Sequence, residues 1–352
     1  MVPLGQEKDA SKMKLARLRL GWAFLRRTFI LTMAERKVWA PLVVCAVLGA
    51  GILPVAAPAF PISLSVNSGT MLGLVKEFVY SGTYTVSELD WPLLPAFYAG
   101  MTLDLGETSG FLSTVELDVG LPTQTGTMTD SDFLNGDGVK TNYSQSDGDL
   151  ESALTVSAQA GWGIPFQLTD VGMGSVEPFL AFEYMRFEWT AQNGYLQYPP
   201  ESSPPYTPWS PSTPQIPVYG TAIIYTQNYV IPAAGVKASL PVTAGLSVGA
   251  SFTFSPYLWC WDKDSHILRQ IDFYSSMHSG LLLEPRLTAS YRISAQTVVS
   301  LDVLYRHISS LIGDTYEVAT GVGAGQQSPI YSNVAGASFD VVNLSVSVKV
   351  AL

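Results

Sequence analysis

The 352-residue chain carries 19 Lys+Arg against 29 Asp+Glu, a net charge of −10, with 47% hydrophobic residues. Nine of the basic and three of the acidic residues precede residue 60, which leaves 10 basic and 26 acidic residues, a net charge of −16, in the remainder. That balance excludes nucleic acid as a partner, because phosphate contacts require basic patches, and it favours cationic ligands through long-range attraction.

Residues 33–59 read as a secretory signal. Arg36 and Lys37 form a charged n-region, residues 38–55 are nearly all apolar, and Ala57-Pro58-Ala59 is a small-residue cleavage site. The start is expected at Met33 and the cut near Ala59. The basic residues 1–32 then form an upstream mis-start or an extended n-region. A transmembrane helix is the weaker alternative, since the Ala/Pro tail suits cleavage and no second helical span follows. Cys45 lies within the signal, so Cys260 alone remains after cleavage and no internal disulfide can form. Residues 60–352 form the folded unit.

Within that unit, apolar and polar residues alternate with the strand period of two. Ten strands are expected, near 62–80, 86–105, 111–132, 144–163, 176–196, 218–240, 246–265, 271–293, 297–317 and 335–352. The third opens with Val115, Leu117, Val119 and Leu121 against Thr114, Glu116, Asp118 and Gly120. The ninth repeats the pattern with Val299, Leu301, Val303 and Tyr305. The last alternates Val342, Leu344, Val346, Val348, Val350 and Leu352 with Asn343, Ser345, Ser347, Lys349 and Ala351. A soluble sandwich would alternate too. A signal peptide ahead of about ten such segments, with aromatics near their ends, instead predicts an all-β, ten-stranded antiparallel transmembrane barrel, apolar towards lipid and polar towards the lumen.

Connections near 106–110, 242–245 and 294–296 are short, while those near 133–143, 196–217 and 318–334 are long. The short set suits periplasmic turns and the long set extracellular loops. With an even strand count both termini are periplasmic and odd-numbered strands run outward. Strands of about 20 residues reach roughly 50 Å, twice the lipid-facing band of about 25 Å, so half of the barrel should project above the outer membrane. Pro92 and Pro95 are expected to interrupt the second strand. Residues 199–217 hold eight prolines and read as a stiff, solvated loop with few hydrogen bonds to its neighbours; a substrate-selecting rim element is the rival reading.

Two strand ends carry the chemistry. Asp130 and Asp132 share one face at the end of strand three, as do Asp262, Asp264 and His266 at the end of strand seven. Both lie at the extracellular rim, where a carboxylate pair opposite an Asp–His pair can hold and deprotonate water. Strand three keeps one inward parity throughout. On strand seven the apolar set Val248, Ala250, Phe252 and Phe254 shares parity with the acids, so a bulge near Pro256 must turn the upper half over.

Five landmarks in order extend this pattern: Lys76-Glu77-Phe78-Val79-Tyr80, Ser87-Glu88-Leu89-Asp90-Trp91, Asp130-Ser131-Asp132, Tyr225-Thr226-Gln227 with Pro232 and Gly235, and Asp262-Lys263-Asp264-Ser265-His266. From about residue 66 onward the chain resembles the omptins, outer-membrane proteases built as ten-stranded barrels. The resemblance implies an endopeptidase in which His266 is the general base on water, Asp264 orients it, and Asp130 and Asp132 hold the water. It implies no metal, although an Asp, Asp, Asp, His cluster makes a metal the obvious rival. It also implies that Glu77 and Asp262 form the pocket for a basic residue before the scissile bond, so cationic peptides and proteins are the expected substrates.

Departures accompany the match. Asn142 and Ser146 stand where the family usually has an acid and a His, which puts selection after the scissile bond in doubt. Lipopolysaccharide or another outer-membrane lipid is the activator the resemblance implies. Arg186 matches one lipid-binding position, but Asn228 replaces an expected Arg. The protein is expected to be a monomer with its site facing outward. An omptin-like adhesin with weak or no proteolysis, and a structural barrel, are the alternatives.

Overall fold

The computed structural model describes residues 61–352 except 107, 108 and 202. The upstream segment, signal peptide and cleavage site lie outside the described residues. The strands are β1 (Ile62–Ser81), β2 (Tyr84–Leu105), β3 (Gly110–Gly120), β4 (Thr123–Asp132), β5 (Asn142–Thr169), β6 (Gly172–Gln197) and β7 (Ile216–Pro241). They continue with β8 (Leu246–Ser255), β9 (Trp259–His266), β10 (Ile271–His278), β11 (Leu282–Arg292), β12 (Thr297–Ala319) and β13 (Tyr331–Ala351). In three places two successive strands run end to end as one stave: β3 with β4, β8 with β9, and β10 with β11. The ring therefore has ten antiparallel staves, closed where β1 pairs with both β2 and β13. No described residue is helical.

The two halves of the barrel have opposite chemistry. In the lower half Leu344, Val346, Val348 and Val350 of β13, and Leu301 and Val303 of β12, are exposed on the outer wall, which forms the lipid-facing band. Inward positions there are polar and bond to one another. Asn67 donates to Asp118 at 3.1 Å, Lys349 to Asp104 at 2.7 Å and Thr288 to Asp302 at 2.6 Å. Arg306 spans the lumen between Glu284 and Glu183. In the upper half the apolar residues turn inward. Trp91, Trp189 and Tyr225 stack on one another, and Phe187 lies between Trp189 and Phe339. All five are at most 2% exposed. This aromatic layer fills the barrel and forms the floor of an outward-facing cleft.

Local irregularities set which residues face that cleft. On stave seven, β7 pairs Ala234 with Phe254 of β8 but Val230 with Trp259 of β9. Three residues of β7 thus oppose four of residues 255–258, a one-residue bulge at Pro256 as the parity of the sequence requires. The Ser255 hydroxyl secures it, 2.6 Å from Pro232 O and 2.9 Å from Tyr257 O. Below the bulge even positions are exposed; above it Cys260, Asp262 and Asp264 are buried. Stave three is less regular than its sequence suggests. Thr125, an odd position, is fully buried while Gln124 is exposed, and a shift between Gln124 and Gly126 restores the even inward parity before Asp130.

Two expectations need correction. Pro92 and Pro95 do not interrupt β2, which runs unbroken past both. Leu94 and Pro95 oppose the single residue Leu72 between the pairs Met71–Ala96 and Gly73–Leu93, so a bulge absorbs the extra residue. The proline-rich loop is not free of its neighbours either. Asn135 exchanges two hydrogen bonds with the Tyr206 backbone (2.8 and 2.9 Å), and Trp209 N donates to Lys140 O at 2.7 Å. Trp209 also packs on Tyr143, and Gln197 donates to Thr213 O at 2.6 Å. A loop that forms no backbone ladder of its own bonds instead to the loop between β4 and β5 and to the end of β6.

The aromatic layer carries a testable load. Phe187→Ala should destabilise the refolded barrel by about 3–5 kcal/mol, as for other buried aromatic truncations. Truncation of the fully exposed Val322 should change stability by no more than about 0.5 kcal/mol. Denaturant unfolding of both variants checks this, and equal midpoints would show that the layer contributes nothing special.

Candidate active site

β4 and β9 end at the same level on opposite sides of the cleft. β4 supplies Asp130 and Asp132, β9 supplies Asp262, Asp264 and His266, and β1 supplies Glu77. Asp264 and His266 are neighbours on one face of β9, and His266 Nε2 lies 2.5 Å from Asp264 Oδ2. With Nε2–H donated to that carboxylate, Nδ1 is left as the basic nitrogen. The imidazole is braced edge-on by Phe273, at 5.3 Å between ring centroids. Phe273 is the register partner of Asp264 on β10, so the brace follows from strand pairing.

The acids are crowded and dry. Glu77, Asp262 and Asp264 are 7%, 4% and 3% exposed. Burial, then the charge of Asp132, pushes the Asp130 carboxyl from 3.8 up to about 7, and Asp264 on the opposite wall adds to the shift while His266 opposes it. Burial also raises Asp132, against hydrogen bonds from Ser87 and Asn142 and the charges of Arg269 and His266. Glu77 is held well above the usual carboxylate range by burial and by Asp264, Asp262 and Asp130. Asp262 rises to about 7, chiefly by burial. For His266, burial favours the neutral ring, but the Asp264 charge and hydrogen bond outweigh it and the net shift is upward from 6.5. Asp130, Asp132, Glu77 and Asp262 are therefore all raised and influence one another's protonation.

The Glu77–Asp262 pocket has a supported base. Gln227 Nε2 donates to the Tyr225 hydroxyl at 2.9 Å, and that hydroxyl donates to Asp262 Oδ2 at 3.2 Å. Asp262 Oδ1, Glu77 Oε2 and Asp264 Oδ1 are buried without a partner among the described side chains and backbone. Buried carboxylate oxygens aimed into one pocket suit a cation whose own charge repays their desolvation. Among the described residues no three His, Cys, Asp or Glu side chains converge to hold one metal ion.

The sequence reading brings Asp130, Asp132, Asp262, Asp264, His266 and Glu77 into this one cleft. Arg186 is elsewhere, on the outward face of β6. It is paired with Glu188 and donates to Ser152 Oγ at 3.2 Å. Its register partner Asn228 accepts from Tyr184 OH at 2.9 Å.

Four neighbours act on these acids in roles the sequence reading did not assign. Ser87 Oγ donates to Asp130 at 3.3 Å, and Asn142 Nδ2 donates to Asp132 at 2.9 Å. Tyr198, just past β6, is raised by burial and by the charges of Asp130 and Asp132. Arg269 stacks over Phe273 at 5.6 Å and acts on both His266 and Asp132. Ser87 lies within a landmark and Asn142 is a noted departure, Arg269 could have been found as a cation three residues beyond His266, and Tyr198 carries no signal.

Comparison with known proteins gives a consistent picture. The model of a family described as the Omptin family matches residues 59–352. The outer membrane protease OmpP of Escherichia coli (strain K12) is 22% identical over 263 residues, covering 72% of this chain and 79% of that protein. The crystal structure of the outer membrane protease OmpT from Escherichia coli superposes with a TM-score of 0.73 at 18% identity, covering 84% of this chain and 99% of that one. At such identity the structural likeness is one of fold.

The acid cluster should leave a signature in stability. A carboxyl whose folded value is raised binds its proton more tightly when folded, so stability is highest below the unfolded value and falls as pH rises through the folded one. For Asp130 and Asp262 that window runs from 3.8 to about 7. Glu77→Gln, which removes one buried charge, should raise Tm relative to the parent at pH 8 and change it much less at pH 4. Thermal unfolding at the two pH values checks this; a gain confined to pH 4 would reverse the assignment.

Proposed function

The chain belongs to the omptin family, and on that premise we propose that it is an outer-membrane endopeptidase that cleaves polypeptides at basic residues with a water activated by Asp264 and His266. The observation that carries this reading is the opposition of two pairs across one outward-facing cleft: Asp130 with Asp132 on β4, and Asp264 bonded to His266 on β9. An Arg or Lys side chain of the substrate enters the Glu77–Asp262 pocket, where the planar guanidinium fork can bridge both carboxylates. The adjacent scissile carbonyl then lies between the two pairs. His266 Nδ1 takes a proton from water as the water oxygen bonds to the carbonyl carbon, and the carbonyl π electrons move to oxygen. Asp264 stabilises the imidazolium that forms. When the C–N bond breaks, His266 returns the proton to the leaving amine and the oxyanion closes to a carboxylic acid. Asp130 and Asp132 hold the water from the facing wall, and no covalent enzyme intermediate is required.

The cleft opens above the lipid-facing band, so the active site faces the extracellular side and a monomer suffices. Lipopolysaccharide or another anionic outer-membrane lipid bound at Arg186 is the activator in this reading. Arg186 is already neutralised by Glu188, and Asn228 offers no second cation, so a head group gains little there.

Three outcomes test the proposal. His266→Ala and Asp264→Ala should each lower kcat by at least about 10²-fold on a peptide substrate, since general-base assistance supplies roughly 10²–10⁴. Full activity in His266→Ala refutes the mechanism. Sequencing of products from a peptide library should place Arg, then Lys, before the cleaved bond. Glu77→Gln or Asp262→Asn should reduce kcat/KM for such peptides by about 2–5 kcal/mol of binding, the usual effect of truncating a desolvated charge pair; an unchanged preference in both refutes the pocket. Detergent-refolded protein should gain less than about tenfold in activity on adding lipopolysaccharide, and a gain of several orders of magnitude would place the lipid site on other residues.

A further inference from the structure

Asn142 stands at a position where the resemblance leads one to expect an acid that selects the substrate residue beyond the scissile bond. Its geometry points to a different job. Asn142 is the direct cross-strand partner of Asp132, β5 against β4, which brings their side chains within reach of each other on the cleft face. Its amide Nδ2 donates to Asp132 Oδ2 at 2.9 Å. With the amide in this orientation Asp132 Oδ2 is the acceptor, a role an ionised carboxylate fills with either oxygen. The pairing also occupies the amide that would otherwise face substrate, and Asn142 Oδ1 is left buried without a partner among the described residues.

We propose that Asn142 is a positioning residue that holds Asp132 as the ionised, acceptor-only member of the carboxylate pair and so confines the pair's shared proton to Asp130. The surroundings of both carboxyls agree. Asp132 receives Asn142 from β5 and the positive charges of Arg269, in the turn after β9, and of His266. Ser87 from β2 reaches both acids. Asp130 also feels the His266 charge, but it faces the like charges of Asp132 and Asp264 and has neither the Asn142 amide nor Arg269, and it raises Glu77 in turn. The charges of Asp130 and Asp132 also raise the Tyr198 phenol, just past β6. Burial and the carboxylates beside it push Asp130 to about 7, so at neutral pH one proton is available to this group. An ionised Asp132 can accept a hydrogen bond from water, and a protonated Asp130 can donate one to the oxyanion that develops on the substrate. An acid at position 142 would turn this donor into a third acceptor and draw a further proton into the cluster.

The inference rests on the reading of this pair as the holder of the attacking water, and two measurements separate them. In the pH profile of kcat/KM, Asn142→Ala should move the acidic limb upward by about one pH unit, an additional loss of about tenfold at pH 6 relative to pH 9. Asn142→Asp, nearly isosteric and therefore the safer variant for folding, should move it further. Preference for the residue after the bond should not change in Asn142→Ala. An unmoved limb together with an altered preference would make Asn142 a substrate subsite and overturn the proposal. The second measurement needs no activity: carboxyl 13C shifts of labelled aspartates in the refolded protein, assigned with Asp130→Asn and Asp132→Asn. Asp132 should lose its proton at lower pH than Asp130, and Asn142→Ala should raise the Asp132 titration. An Asp132 titration unaltered by Asn142→Ala overturns the proposal even in an active enzyme. A protein without peptidase activity would refute the function while this titration still decides the role of Asn142.

Discussion

Closure of the sheet, β1 against β13, is the constraint on which the molecule depends. In hydrocarbon an unpaired strand edge leaves a row of unsatisfied N–H and C=O groups, so a sheet that crosses a membrane must be a ring. A ring of ten staves encloses a lumen too narrow to be an open channel and too wide to be left empty. The chain fills it in two ways. Polar side chains below the membrane surface satisfy one another, as in the Arg306–Glu284–Glu183 group, and a stack of aromatic rings fills the half that stands above it.

That filling gives the cleft its properties. The Trp91–Trp189–Tyr225 stack closes the barrel from below and removes water from the acids above it, while the Tyr225 hydroxyl holds Asp262. Because the floor is rigid and dry, the carboxyls influence one another strongly, and their protonation becomes a property of the group. The arrangement costs stability, since several like charges share one low-dielectric site. It persists because the surrounding ladder leaves those strands no other place to go.

Wall and rim have separate roles. The outward face of β6 and β7 carries Arg186 already paired with Glu188, and the proline-rich loop is fastened to residues 135, 140 and 143. Both are settled before any ligand arrives. The inward-facing ends of β4 and β9 differ in kind. Buried oxygens of Asp262 and Asp264 on β9, and of Glu77 on β1, have unfilled hydrogen-bonding capacity, which is where chemistry is to be expected.

Period-two alternation by itself determined the number of staves, most of their limits (the hairpin of β5 and β6, which runs on to Thr169 and from Gly172, excepted), the lipid-facing set and the two strand ends that bear Asp130, Asp132, Asp264 and His266. A strand has one repeat and a barrel must present one apolar face to lipid, so little else is compatible with that pattern. Parity even demanded the bulge near Pro256, because Phe254 and Asp264 cannot both face outward. What sequence could not decide is whatever depends on contact between distant strands. The aromatic floor, the offsets that carry stave three through Thr125 back to its first parity, and the absorption of Pro95 into an unbroken β2 all arise from register against neighbouring strands. The partners of the acids belong to the same class. Asn142 reads as a lost acid until pairing of β4 with β5 sets its amide on Asp132, and Arg269 and Tyr198 acquire meaning only when the ring brings a turn and a strand end over one carboxylate pair.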